Sequence, residues 1–115
     1  MRALSLAVLV LAAATPALAQ SGLPDGVEPL LTCANVYSMK SEEATTAGDT
    51  GGATEFFNRG DALVWRARSL MEGAGLSPAD IENAEMNSAL VTGFRYGAGE
   101  AETMLAECLA AEDSP

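Results

Sequence analysis

Apolar residues recur along this chain at helical spacing, and nowhere with the sustained alternation of a strand. Val27, Leu30, Leu31, Ala34 and Tyr37 fall on the i, i+3, i+4, i+7 steps of one stripe. They predict a first helix that starts at Val27 or Glu28 and fades into Lys40, Ser41, Glu42 and Glu43. Residues 44–52, rich in Gly and Thr, predict a linker that is costly to order. The second helix has the clearest pattern. Ala53, Phe56, Phe57, Gly60, Leu63, Val64, Ala67, Leu70 and Met71 predict one buried face, with Glu55, Asn58, Arg59, Asp61, Arg66, Arg68 and Glu72 on the solvated remainder. Gly73 and Gly75 can take the left-handed conformation that ends a helix.

A sharp junction follows. Ser77 can cap the next helix, Pro78 suits its first position, and Asp80 places a negative charge near the helix N-terminus. Leu76 before the cap and Ile81 in the first turn make a hydrophobic staple. The last helical region covers residues 78–111. Leu90, Val91, Phe94, Ala98, Ala101, Leu105 and Cys108 predict its apolar stripe, whereas Ile81, Ala84 and Ser88 point roughly 100° away on a helical wheel. Either the region bends near Asn87, or one long helix meets different neighbours at its two ends. The small residues Ala89, Gly93, Gly97 and Ala101 recur every fourth position and permit close helix approach, within the fold or at a dimer seam. The predicted fold is therefore all-α: a small antiparallel bundle of three helices, or four if the last region breaks.

The first nineteen residues carry a different signal. Met1 and Arg2 give a short positive start, residues 4–14 form an apolar core of roughly ten residues, and Ala17, Leu18 and Ala19 supply a small-x-small cleavage site. The core is too short to span a bilayer, and Pro16 interrupts it. The expected organisation is a signal peptide over residues 1–19, a flexible lead-in over 20–26, a helical domain over 27–111 and a flexible tail over 112–115. The expected destination is the periplasm or the medium, with no stable membrane insertion once the leader is removed. The remaining chain, about 96 residues, is one small domain of marginal stability.

In an oxidising compartment the two cysteines, Cys33 and Cys108, are expected to pair. Closing a loop of about 75 residues contributes roughly 4–5 kcal/mol as an upper guide. Neither cysteine lies in a Cys-x-x-Cys motif or beside a group that would make its sulfur reactive, so the bridge reads as structural.

Charge and composition narrow the function. The chain has 16 acidic residues, 6 basic ones and no histidine. Such acidity opposes binding to nucleic acid and to anionic membranes. Without histidine there is no Ser-His-Asp or Cys-His site, no His-based zinc site and no Cys-x-x-Cys-His haem attachment. Gly51 and Gly52 lack the rest of a phosphate loop, and Asp49 alone does not make a calcium loop. Glu100, Glu102 and Glu107 are read as a solvated helix face. No catalytic residue, metal site or cofactor is assigned.

One position stands out for binding. Trp65 lies nearly opposite the apolar stripe of its helix, beside Arg66 and Arg68, and Trp and Arg are enriched at interaction hot spots. The alternative is that the first helix or the linker covers Trp65, as the usual burial of Trp favours. The expected function is a small exported, non-catalytic helical interaction protein with a protein partner. In size, compartment, helices and single long-range disulfide the chain also resembles small acid-activated periplasmic chaperones. That resemblance is one of architecture, is carried by no motif, and implies an alternative function that responds to acid or stress.

Overall fold

The structure, a computed structural model, describes residues 22–113. The expected leader and the cleavage site before Gln20 lie outside the described residues. Helix α1 (Val27–Thr46) follows Gly26, whose φ of 89° is a conformation that glycine adopts readily. Leu23, in the expected lead-in, already packs against the core. Helix α1 runs further than its apolar pattern suggests. Thr45 and Thr46 donate their hydroxyls back to the carbonyls of Ser41 and Glu42, at 3.0 and 3.1 Å. Ser41 donates to the carbonyl of Ala53 at 2.7 Å and ties the end of α1 to the start of the next helix.

Helix α2 (Thr50–Gly73) begins earlier than expected, because the Asp49 carboxylate accepts the amide N–H of Gly52 at 2.9 Å. The linker anticipated over residues 44–52 thus shrinks to a turn of three residues, 47–49. Helices α1 and α2 form a tight antiparallel hairpin. The two helices come close at Gly60, where an added Cβ would sit 3.1 Å from the carbonyl oxygen of Ala34. The small-residue row at Ala89, Gly93, Gly97 and Ala101 is not a continuous buried seam: Ala89 and Gly97 are exposed, whereas Gly93 lies near Met39 of α1.

The junction after α2 forms as the sequence predicts. The Gly75 N–H bonds to the carbonyl of Glu72 and the Leu76 N–H to that of Met71, while Gly75 takes a φ of 86°. Ser77 then caps helix α3 (Pro78–Arg95) by accepting the Asp80 N–H at 3.1 Å. Helix α3 runs antiparallel to α2 but lies chiefly along α1, parallel to it. Ile81 and Ala84 meet Val27 and Leu31, Asn35 donates to the Ser88 hydroxyl at 3.1 Å, and Gly93 reaches Met39.

Helix α3 passes through Asn87 without a bend. The break comes at Gly99, with φ 98°, inside a π-helical turn (Tyr96–Glu100). The chain then folds back as helix α4 (Ala101–Glu112). The third arm of the bundle is therefore two helices; the phase conflict read from the sequence lies before this reversal, within α3, where Ile81 and Ala84 are buried and Leu90, Val91 and Phe94 are exposed.

The fold is an all-α bundle with a Cys33–Cys108 disulfide, whose Cα atoms lie 5.6 Å apart. The core has two parts. At one end Val27, Leu31, Ala67, Met71, Ile81 and Ala84 join α1, α2 and α3. At the other, Ala34, Val36, Tyr37, Leu63, Met104 and Cys108 join α1, α2 and α4. Each fully buried Val or Met side chain contributes roughly 1.5–3 kcal/mol by leaving water. Among the described residues no helix is long and apolar enough to cross a membrane.

Candidate interaction surface

Trp65 is exposed, with 61% of its surface open to solvent. The cover that the sequence favoured is absent for a geometric reason. Helix α1 packs on the opposite face of α2, and the turn at residues 47–49 is too short to reach across. The Arg68 guanidinium lies 5.9 Å from the centre of the indole ring. The same group donates two hydrogen bonds to Glu85 of α3, at 2.6 and 3.1 Å. Glu85 also raises the Arg68 pKa above the usual guanidinium range. Arg68 is thus clamped between helices beside the indole, through Glu85 rather than the nearby Asp61 of its own helix. Arg66 is exposed on the same helix. Phe57, expected in the buried face of α2, is 62% exposed.

The larger departure from expectation is on α3. Its expected stripe does not face the core. Leu90, Val91 and Phe94 are 67%, 62% and 81% exposed, and Met86 is 52% exposed. The helix instead buries Ile81, Ala84 and Thr92, one direction held along its whole length. Met86, Leu90 and Phe94 follow at steps of four, so they rise along one outer face with Val91 at its edge. No ionisable residue occurs from Met86 to Phe94. Periodicity showed correctly that this face is apolar; it carries no information on whether anything lies against it.

Two open clefts flank α1. One, of about 840 Å³, runs between α1 and α3, lined by Leu31, Leu76, Leu90 and Val91 with Glu28 and Asp80. The other, of about 400 Å³, lies against α4 and is lined by the disulfide, Met104, Arg95 and Glu107.

Polar contacts hold the third arm to the hairpin. Tyr37 donates its hydroxyl to Glu112 of α4, and Arg59 of α2 reaches the same carboxylate at 2.9 Å. Burial, reinforced by Glu112, pushes the Tyr37 hydroxyl up to about 12. Tyr96 in the π-helical turn donates to Glu43 of α1, and burial with that carboxylate beside it likewise pushes it up to about 12. Glu43 is held below the usual carboxylate range by that hydroxyl and by Lys40. Lys40 pairs with Glu102 of α4, which raises its pKa above the usual ammonium range. Arg95 bonds Glu100 at 2.8 Å. Of the three carboxylates singled out on the last helical region, two are therefore engaged in ion pairs, and Glu107 lines the smaller cleft. Among the described residues no group of three or more His, Cys, Asp and Glu side chains is placed to hold a metal ion.

No protein-family model matches this chain, and no curated protein or solved structure is similar to it.

Proposed function

We propose that this chain is a small exported, non-catalytic helical binding protein, and that the outer face of α3 is its contact surface for a protein partner. The observation that carries this is the exposure of Met86, Leu90, Val91 and Phe94 on one turn-by-turn face of a single helix. Scattered exposed apolar residues are ordinary on a soluble protein, whereas a continuous helical stripe is the pattern by which helices dock into partners. Trp65 supplies a second exposed aromatic, its ring accompanied by Arg68. Export rests on the leader-like character of residues 1–19.

The test is a photo-crosslinking amino acid placed at position 94 and, as a control, at the exposed position 55 of α2, in the full chain expressed in a bacterium. A discrete adduct in the envelope fraction from position 94, absent from position 55, is the expected result. No adduct from position 94, or equal adducts from both, would sink the proposal.

A second reading, an acid-responsive chaperone, is favoured by one observation. Contacts of Glu43, Glu85, Glu102 and Glu112 join α3, the π-helical turn or α4 to the hairpin, and acid neutralises carboxylates. Loosening of the third arm at low pH would expose the apolar faces beneath it. Suppression of client aggregation at about pH 3, with binding of an apolar dye, is the expected signature of that activity.

A further inference from the structure

Resting on the binding role proposed above, we infer that the groove between α1 and α3 seats a basic amphipathic segment of the partner protein. The groove has two chemically distinct ends. Helices α1 and α3 run parallel, so their N-termini lie together, and each brings a first-turn carboxylate there, Glu28 and Asp80. Further along α3 the groove is lined by Leu90 and Val91, both more than half exposed. Asp80 and Leu90 are separated by a helical rise of roughly 15 Å. Between them Asn83 and Asn87, one turn apart, offer amides that can bond to a peptide backbone or to polar side chains.

Among the described residues the acidic end has no cation of its own: no Lys or Arg lines the groove, and neither Glu28 nor Asp80 takes part in an ion pair. Lys40, Arg59, Arg68 and Arg95 are each paired with other carboxylates. The two helix N-termini contribute about half a positive charge apiece, which offsets the two carboxylates only in part and leaves about one negative charge in excess. The complementary segment carries Lys or Arg at one end and apolar side chains about 15 Å away, a spacing of ten residues in a helix. A second copy of this chain is a poor occupant. A two-fold contact through this groove would join two strongly acidic chains, and a groove lined by no Lys or Arg would supply no cation to Glu28 and Asp80. Anionic lipid is disfavoured by the same charge.

The experiment uses the full mature chain and two synthetic helical peptides, alike except for their charged end. One bears two lysines ten residues from a Leu-Leu pair, the other two glutamates at the same places. Fluorescence anisotropy is expected to show saturable binding of the lysine peptide, weakened by salt, and little binding of the glutamate peptide. The double variants Glu28→Gln/Asp80→Asn and Leu90→Ser/Val91→Ser are each expected to weaken lysine-peptide binding about tenfold or more. The first variant should also flatten the salt dependence, with circular dichroism confirming an unchanged fold. Equal binding of both peptides, unaltered binding by the Glu28→Gln/Asp80→Asn variant, or no binding of either peptide would overturn the inference. If neither peptide binds while position 94 still forms its envelope adduct, the inference on partner charge falls and the binding role stands. If that adduct is also missing, both fall.

Discussion

Helices α3 and α4 both fold back on the α1–α2 hairpin, and they are held in contrasting ways. The shorter, α4, is joined to α1 by a covalent bond, to Tyr37 and Arg59 through Glu112, and to Lys40 through Glu102. Its Met104 and Cys108 are almost wholly buried. The longer, α3, has no covalent tie to the hairpin beyond its own connections. It sits on a narrow strip of Ile81, Ala84 and Thr92 and leaves its largest apolar side chains outside. One helix closes the core, and the other uses a small inner face to present a larger outer one. Length and apolar content do not measure a helix's contribution to stability; what counts is the surface it removes from water.

The strongest way to break this contrast is to cut the covalent tie. The Cys33→Ser/Cys108→Ser variant is expected to lose roughly 2–5 kcal/mol in denaturant unfolding, with α4 the first element to lose amide-exchange protection. Protection lost from α3 before α4 would reverse the assignment of roles. Next in size is the buried methionine of α4. Met104→Ala is expected to cost about 2–5 kcal/mol, whereas Leu90→Ser with Phe94→Ser on the outer face of α3 should change stability by less than about 0.5 kcal/mol per site. A large loss from the α3 pair would mean that its stripe is covered after all.

Glycine substitutions probe the hairpin on which both helices rest. Gly60→Ala sets a helix-propensity gain of about 1 kcal/mol against a backbone carbonyl 3.1 Å away, which has little room to retreat. A net loss in melting temperature is expected there. Gly73→Ala meets nothing within 4 Å and should give a small gain.

The smallest expected effects depend on pH, and they concern attachment of the third arm. Folding lowers the Glu43 pKa, so its contribution is complete above the ordinary value of 4.5 and disappears as pH falls through the lowered one. Folding raises Tyr37 and Tyr96 from 10.0 to about 12, so their contribution is complete below 10 and disappears as pH rises through about 12. Urea midpoints measured across both ranges should decline at each end, and Glu43→Gln should blunt the acid limb. An unchanged acid limb in that variant would place the sensitivity elsewhere.

Much of this architecture was legible wherever local chemistry decides the outcome. Ser77, Pro78, Asp80 and Ile81 specify a helix start through bonds within a single turn, and the structure forms it as read. The pairing of Cys33 with Cys108 needed no geometry, since two cysteines have only one intramolecular pairing. Trouble came where the outcome depends on what lies across space. The stripe of Leu90, Val91 and Phe94 has a helical period whether it faces a neighbour or water. Residues 44–52 resemble a linker in composition, yet Asp49 captures the Gly52 amide and the hydroxyls of Thr45 and Thr46 prolong α1. The reversal at Gly99 depends on a positive φ that the helical spacing of its neighbours does not disclose. Of the candidate surface, Trp65 and Arg68 were visible as neighbours on one wheel, but Glu85, which fixes Arg68, comes from another helix and left no local trace.

The bridge between Cys33 and Cys108 also encircles most of the molecule in a closed ring of chain. A protease that severs a peptide bond in the exposed turn at residues 47–49 would not release a fragment. The two pieces would migrate as one on a non-reducing gel and part only after a thiol is added. Such nicked protein can keep its helices in register, so a single cut in this turn need not undo the fold.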